Sequence, residues 1–168
     1  MDRRFPPHME TYFQDGENSF VFVSKLNKEK EVDENIRMAR FLSEKTSENI
    51  YILPHIQPTQ KGSQKLRDEY FPNGVKQNKN PDFYFRGRFV DAKSMNRSEL
   101  NTQKLTKRNI QNRLKEAFVQ ADDAYLETPS AFPYNWVVEA VKGKLKTMTH
   151  HHIVYLRYGE QLLIIEPK

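Results

Sequence analysis

The sequence predicts an α/β fold, a central mixed β-sheet flanked by helices, and three observations carry that prediction. Its apolar positions change period along the chain in the order helix, strand, hairpin, helix, strand, helix, hairpin. Its β-branched and aromatic runs are short and bounded by Pro, Gly and Asn, as strands of a packed layer are. A chain of 168 residues with 37% hydrophobic side chains suffices for one main domain with a real core, and is too short for two ordinary ones. Hairpins and crossovers in one order indicate an α/β or α+β sandwich.

Residues 1–30 read as an N-terminal extension ahead of a domain over 31–168. Pro6, Pro7 and Gly16 with little periodicity suggest an extended or poorly ordered arm, followed by a short apolar run, FVFV at 20–23, with the character of a peripheral strand. EVDENIRMARFLSEKT at 31–46 places Val32, Ile36 and Ala39, and Met38, Phe41 and Leu42, at helical spacings. NIYILPHI at 49–56 is a buried strand that Pro54 ends. Residues 57–79, with Pro58, Gly62, Pro72 and Gly74, form a long polar connection, either a functional flap or a disordered insertion.

The stretch NPDFYFRGRFVDAKS at 80–94 is a hairpin turning at Arg86 and Gly87. A helix over about 103–121 follows, with Ile110, Leu114, Ala117, Phe118 and Ala121 as its core stripe. DAYLET at 123–128 is the next strand of the central set, YNWVVEAVKGKL at 134–145 a further helix, and the chain closes on a hairpin turning near Tyr158, Gly159 and Glu160.

Charge and composition restrict function. No run approaches the roughly 18 uninterrupted apolar residues of a membrane span, and the start lacks the apolar centre of a signal peptide. The expected setting is cytoplasmic, in the producing cell or in a target cell, with no membrane partner. The absence of cysteine removes disulfides and thiolate metal sites, so any metal must use carboxylate or imidazole ligands, which favours Mg²⁺ or Mn²⁺, with Zn²⁺ the alternative. A net charge of +5 raises the prior on polyanion partners, and Lys104, Lys107, Arg108, Arg113 and Lys115 share one predicted helix with Arg97 just before it. The bland reading of that helix is a solvated face.

The 80–94 hairpin holds ionisable residues where buried faces are expected. Alternation puts Phe89, Asp91 and Lys93 on one face and Val90 and Ala92 on the other. A turn centred on Arg86 and Gly87 sets Asp82 opposite Asp91, and opposed like charges beside Phe83, Phe85, Phe89 and Val90 call for a positive partner. Lys93 supplies one. A divalent cation on Asp82 and Asp91 is another, with the Ala92 carbonyl as a further ligand and Glu34, on the first helix, as a third carboxylate. Against this stand a plain salt bridge in another register, and, for Glu34, an exposed helix-start acid. A cation so held binds a phosphate oxygen and lowers the pKa of a bound water, while Lys93 orients that water or neutralises the phosphate.

Pro81-Asp82 followed by Asp91-Ala92-Lys93 resembles the PD-(D/E)xK motif of the restriction-endonuclease-like nuclease superfamily, and the order of elements over 31–128 resembles its αβββαβ core. The resemblance implies that core, to which this chain adds a C-terminal helix and β-hairpin, with Glu34 at the position of the first-helix glutamate. More narrowly, the ILPHI-like strand, the long loop, NPDxxxxGxxxDxK, and a basic helix ending in QADDA resemble the C-terminal tRNase domains of contact-dependent growth inhibition (CdiA) toxins. That implies a metal-dependent endonuclease, an RNase often acting on tRNA, neutralised by an immunity protein. The last helix and hairpin, 134–168, lie beyond the common core.

The expected function is thus metal-dependent phosphodiester hydrolysis of tRNA, other RNA or DNA, by Asp82, Asp91, Lys93 and Glu34, with Asp82, Asp91, Ala92 and Glu34 as metal ligands. Ser94, Arg97, Lys104, Lys107 and Arg108 are candidate nucleic-acid contacts. His55, at a strand end, is a candidate auxiliary group, with a structural histidine as its plain alternative. His150 and His152 share a strand face but lack a carboxylate pattern and read as an ordinary strand entry. The competing functions are a catalytically silent nucleic-acid- or partner-binding domain on the same fold, and a metal-independent toxin RNase using histidines as acid and base.

Overall fold

A computed structural model describes residues 5–12, 20–27, 29–57, 59, 61–71, 79–95 and 106–168. The chain is α/β, with strands in mixed-sheet pairing and four helices among the described residues. It divides into two units, residues 1–89 and 90–168.

In the first unit β1 (Met9–Thr11), β2 (Val21–Ser24), β3 (Ile50–Ile52) and β4 (Phe83–Phe85) neighbour one another in chain order. β1 pairs antiparallel with β2, β2 parallel with β3 and β3 antiparallel with β4. Residues read as an extended arm therefore supply β1, while the apolar run with the character of a peripheral strand supplies β2. Alternation sorts the faces: Val21, Ile50, Ile52, Phe83 and Phe85 are buried, while Phe22, Tyr51 and Tyr84 form a half-buried aromatic row on the other side. Phe22 stacks on Tyr51 at 5.0 Å between ring centres, and Tyr84 meets Phe89 edge-on at 5.5 Å.

Helix α1 (Glu29–Thr46) covers β2 and β3, burying Val32, Met38, Ala39, Phe41 and Leu42, close to the stripe that the sequence predicts. The strand expected over 49–56 is shorter, although the Leu53 amide still donates to the Asp82 carbonyl at 2.9 Å. The connection after it is not all loop. It contains α2 (Ser63–Tyr70), which buries Ser63, Arg67 and Tyr70, with the Tyr70 and Ser24 hydroxyls hydrogen-bonded at 2.9 Å.

The 80–94 hairpin forms with its turn at Arg86 and Gly87, whose φ angles of 52° and 75° are those of a type I′ turn. Arg86 tolerates this backbone with help from an ion pair to Glu48 at 2.6 Å and a guanidinium lying over the Phe85 ring. β5 (Arg88–Ser94) then carries the chain into the second unit.

There β5, β6 (Asp123–Thr128) and β7 (Val154–Tyr158) run parallel, and β8 (Gln161–Ile165) returns antiparallel to β7. Every residue of β6 is buried. Helices α3 (Lys107–Gln120) and α4 (Tyr134–Thr147) connect the parallel strands and bury Ile110, Leu114, Ala117, Val137, Ala140, Val141 and Leu145 together with Ala124, Leu126, Val154, Leu156 and Ile165. α3 starts later than expected, at a Thr106 cap whose hydroxyl accepts from the Asn109 amide. No helix among the described residues is long and apolar enough to cross a membrane.

Because the hairpin turn needs positive φ at Gly87 and a Cβ there would meet only the Tyr84 hydroxyl, at 3.8 Å, the penalty of Gly87→Ala is purely one of backbone conformation. It should lower stability by about 1–2 kcal/mol in urea unfolding, with an unchanged m-value.

Candidate functional site

The second strand of the hairpin carries the most unusual side chain. Asp91 lies in the middle of β5 and is only 4% exposed. Parallel register sets it beside Ala124, which in turn sits beside Val154, so it shares its sheet face with the apolar layer under α3 and α4. Lys93, two residues on and on the same face, brings its Nζ to 2.9 Å from Asp91 Oδ2. The alternation read from the sequence thus places this pair together, and the positive partner that a buried carboxylate requires is at least in part Lys93.

The first strand's approach is built by residues that the sequence reading did not single out. Pro81 is buried and Asp82 half-buried, just ahead of β4. Asn80 Oδ1 accepts from the Ile56 amide at 2.9 Å and from Arg67 at 3.2 Å. The Arg67 guanidinium also donates to the carbonyls of Ile56 at 3.1 Å and Lys79 at 2.6 Å, and lies over the Phe71 ring. Burial lowers the Arg67 pKa from its usual value, but it remains cationic at any ordinary pH. One buried arginine therefore ties Ile56 to Lys79 and Asn80, the residues that lead into Pro81 and Asp82. The Asp82 carboxylate itself accepts a long bond from Asn35 of α1 at 3.5 Å.

The remaining predicted residues divide. Glu34 is half-buried on α1 with its carboxylate 3.7 Å from Arg37, one turn on. His55 is exposed, three residues past the end of β3. Ser94 ends β5 half-buried; Lys107 pairs with Glu139 of α4 at 2.8 Å, which holds that carboxyl below its usual pKa, and Arg108 is exposed. Arg97 and Lys104 lie outside the described residues. Among the described residues, no three His, Asp or Glu side chains form a group able to hold a metal ion. His152 is structural: its ring stacks on Phe118 at 4.2 Å and its Nδ1 bonds the Asp122 carbonyl.

A second polar cluster lies on the opposite face of the parallel strands. Glu127 of β6 is 1% exposed, accepts from the Tyr125 hydroxyl at 2.9 Å, and lies 3.5 Å from Arg157 of β7. Ser94 pairs in register with Glu127, so the cluster borders the end of β5. Burial first, and the Glu127 charge second, hold the Tyr125 hydroxyl far above the usual phenol range. DAYLET forms the strand its composition predicts, and its acid acquires a partner only through β7 beside it.

Comparison with protein-family models, curated proteins and solved structures finds no match to the chain.

Because the folded state holds the Tyr125 proton more tightly than the unfolded chain, whose tyrosine titrates at 10.0, Tyr125 contributes stability that is fully present below that pH and is lost above it. Tyr125→Phe should cost about 1–3 kcal/mol at neutral pH by removing one hydrogen bond from the buried Glu127 carboxylate. That gap should hold up to about pH 10 and narrow steadily as the pH is raised beyond it in unfolding titrations; a gap that stays constant above that pH would contradict the assignment.

Proposed function

We propose that the chain is a metal-dependent phosphodiester hydrolase, a nuclease of the restriction-endonuclease-like kind with RNA, tRNA in particular, as its substrate class. The observation that carries the reading is the Asp91-x-Lys93 pair, a carboxylate buried in mid-strand with an ammonium 2.9 Å away on the same face. A purely structural acid in an apolar layer is a costly choice, whereas a carboxylate and lysine so placed are the groups that phosphoryl chemistry requires.

The donor chemistry fits Mg²⁺ or Mn²⁺ better than Zn²⁺. Mg²⁺ keeps several waters and takes one or two carboxylates plus substrate phosphate oxygens, so the lack of a three-member ligand group among the described residues is compatible with it, while a zinc site requires three or four protein ligands. Asp91 and the Ala92 carbonyl would hold the ion, with water and substrate phosphate oxygens at its remaining positions. The bound ion would supply a polarised phosphate oxygen and a more acidic water.

The chain's own groups do the rest. Lys93 neutralises a phosphate oxygen and orients the attacking water. Asp91, 2.9 Å from that ammonium, keeps it in position on the strand face. Arg67 and Asn80 hold the Pro81-Asp82 peptide in place. Ser94, Lys107 and Arg108 are proposed to contact flanking phosphates, and a neutralising immunity protein is proposed on the toxin resemblance alone.

Purified protein incubated with tRNA, other RNA and DNA should cleave one of them in Mg²⁺ or Mn²⁺ and not in EDTA. Asp91→Asn and Lys93→Ala should each lower the rate by about 100-fold or more. No cleavage by the wild type, or equal cleavage by Asp91→Asn, overturns the reading; substrate binding that survives both substitutions would identify a silent binding domain.

A further inference from the structure

The geometry points to a nucleobase-stacking platform at Tyr134 and Tyr158, which holds the base flanking the phosphate engaged at Lys93; the inference rests on the nuclease reading of that site. The carboxyl ends of the parallel strands β5, β6 and β7 share one edge of the second unit, and the first residues of α3 and α4 lie at that edge because each helix begins after its strand ends. Lys93 pairs in register with Leu126 and Leu126 with Leu156, so Tyr158, two residues beyond Leu156, lies on the same face as Lys93. Two strand spacings across and two residues along put the Cα atoms roughly 12 Å apart, the neighbourhood of an adjoining nucleotide.

The edge carries aromatic rings that are fixed yet presented to solvent. Tyr158 is held by its hydroxyl, which bonds the carbonyls of Ser130, at 3.0 Å, and Phe132. Gly159 follows at φ 59°, so close to Ser130 that a Cβ there would lie 3.4 Å from its side chain. Phe132 stacks on Trp136 at 5.7 Å, bracing the turn from behind. Tyr134, the first residue of α4, meets Tyr158 edge-on at 5.5 Å and is 40% exposed. An exposed ring whose neighbour is locked by hydrogen bonds loses little freedom when a base stacks on it. Packing does not account for Tyr134, since the core of α4 is already filled by Val137, Ala140, Val141 and Leu145. Exposed Arg108, at the start of the adjacent helix α3, adds positive charge suited to a phosphate. The ligand is accordingly a single-stranded oligonucleotide with an unstacked base, bound by its ring face and without strong sequence preference.

The test is fluorescence titration of a single-stranded oligoribonucleotide containing 2-aminopurine, in EDTA so that binding is read without cleavage. The wild type should quench the probe; Tyr134→Ala should weaken binding roughly tenfold, and Tyr134→Phe should restore it to within about twofold. An abasic oligonucleotide at the same position should bind wild type and Tyr134→Ala equally. Wild-type affinity in Tyr134→Ala, or a loss equally large on the abasic strand, overturns the platform. If cleavage occurs but Tyr134→Ala leaves KM unchanged, the platform fails and the nuclease stands. Tyr134-dependent quenching without any metal-dependent cleavage sinks the nuclease and leaves the stacking site.

Discussion

The charge of Asp91 must be compensated where it sits, and Lys93 on the same strand face answers that requirement. A carboxylate in mid-strand, on the face that carries Ala124, Val154 and Ile165, loses most of its hydration, a penalty of several kcal/mol. Lys93 at 2.9 Å returns part of it. On the proposed reading the same ammonium is structural and chemical at once: truncating it removes an ion-pair partner of a buried acid as well as the proposed phosphate-binding group. Asp91→Asn, which keeps the shape and removes the charge, separates these roles better than Lys93→Ala does.

The parallel arrangement of β5, β6 and β7 explains why chemical groups gather at one edge. Parallel strands need crossovers, here α3 and α4, and each crossover returns the chain to the same end of the sheet. Lys93 and Ser94, Thr128, Tyr158 and the first residues of both helices are thereby brought to a common border from four separate parts of the sequence. On the reverse face the Glu127, Tyr125 and Arg157 cluster ties β6 to β7, and Met95 continues the β5 pairing by donating its amide to the Glu127 carbonyl at 3.0 Å. In the first unit, Arg67 performs a similar fastening for the segment that leads to Asp82.

What the sequence made legible was local. The Arg-Gly turn, the alternation that pairs Asp91 with Lys93, the strand over 123–128 and the spans of α1 and α4 all depend on neighbours a few residues apart. α2 was missed because its inward positions, Ser63, Arg67 and Tyr70, have helical spacing but place a polar residue and a cation where an apolar stripe is sought. Arg67 is acceptable there only because carbonyls of residues 56 and 79 and the Asn80 side chain meet it. β1 was missed for a related reason: Met9–Thr11 has an exposed, unremarkable composition and becomes a strand by pairing with β2. Glu127 was read simply as part of a strand, since its partner Arg157 is thirty residues away and only the β6–β7 register joins them.

The central claim is that the Asp91 carboxylate serves a divalent cation. Titration of the protein with Mn²⁺, followed by the loss of the free-ion paramagnetic resonance signal, measures this without any substrate. Saturable binding that Asp91→Asn weakens by about tenfold or more is the predicted result. Absence of saturable binding, or an unchanged affinity in Asp91→Asn, would contradict it and leave Asp91 and Lys93 as a buried ion pair.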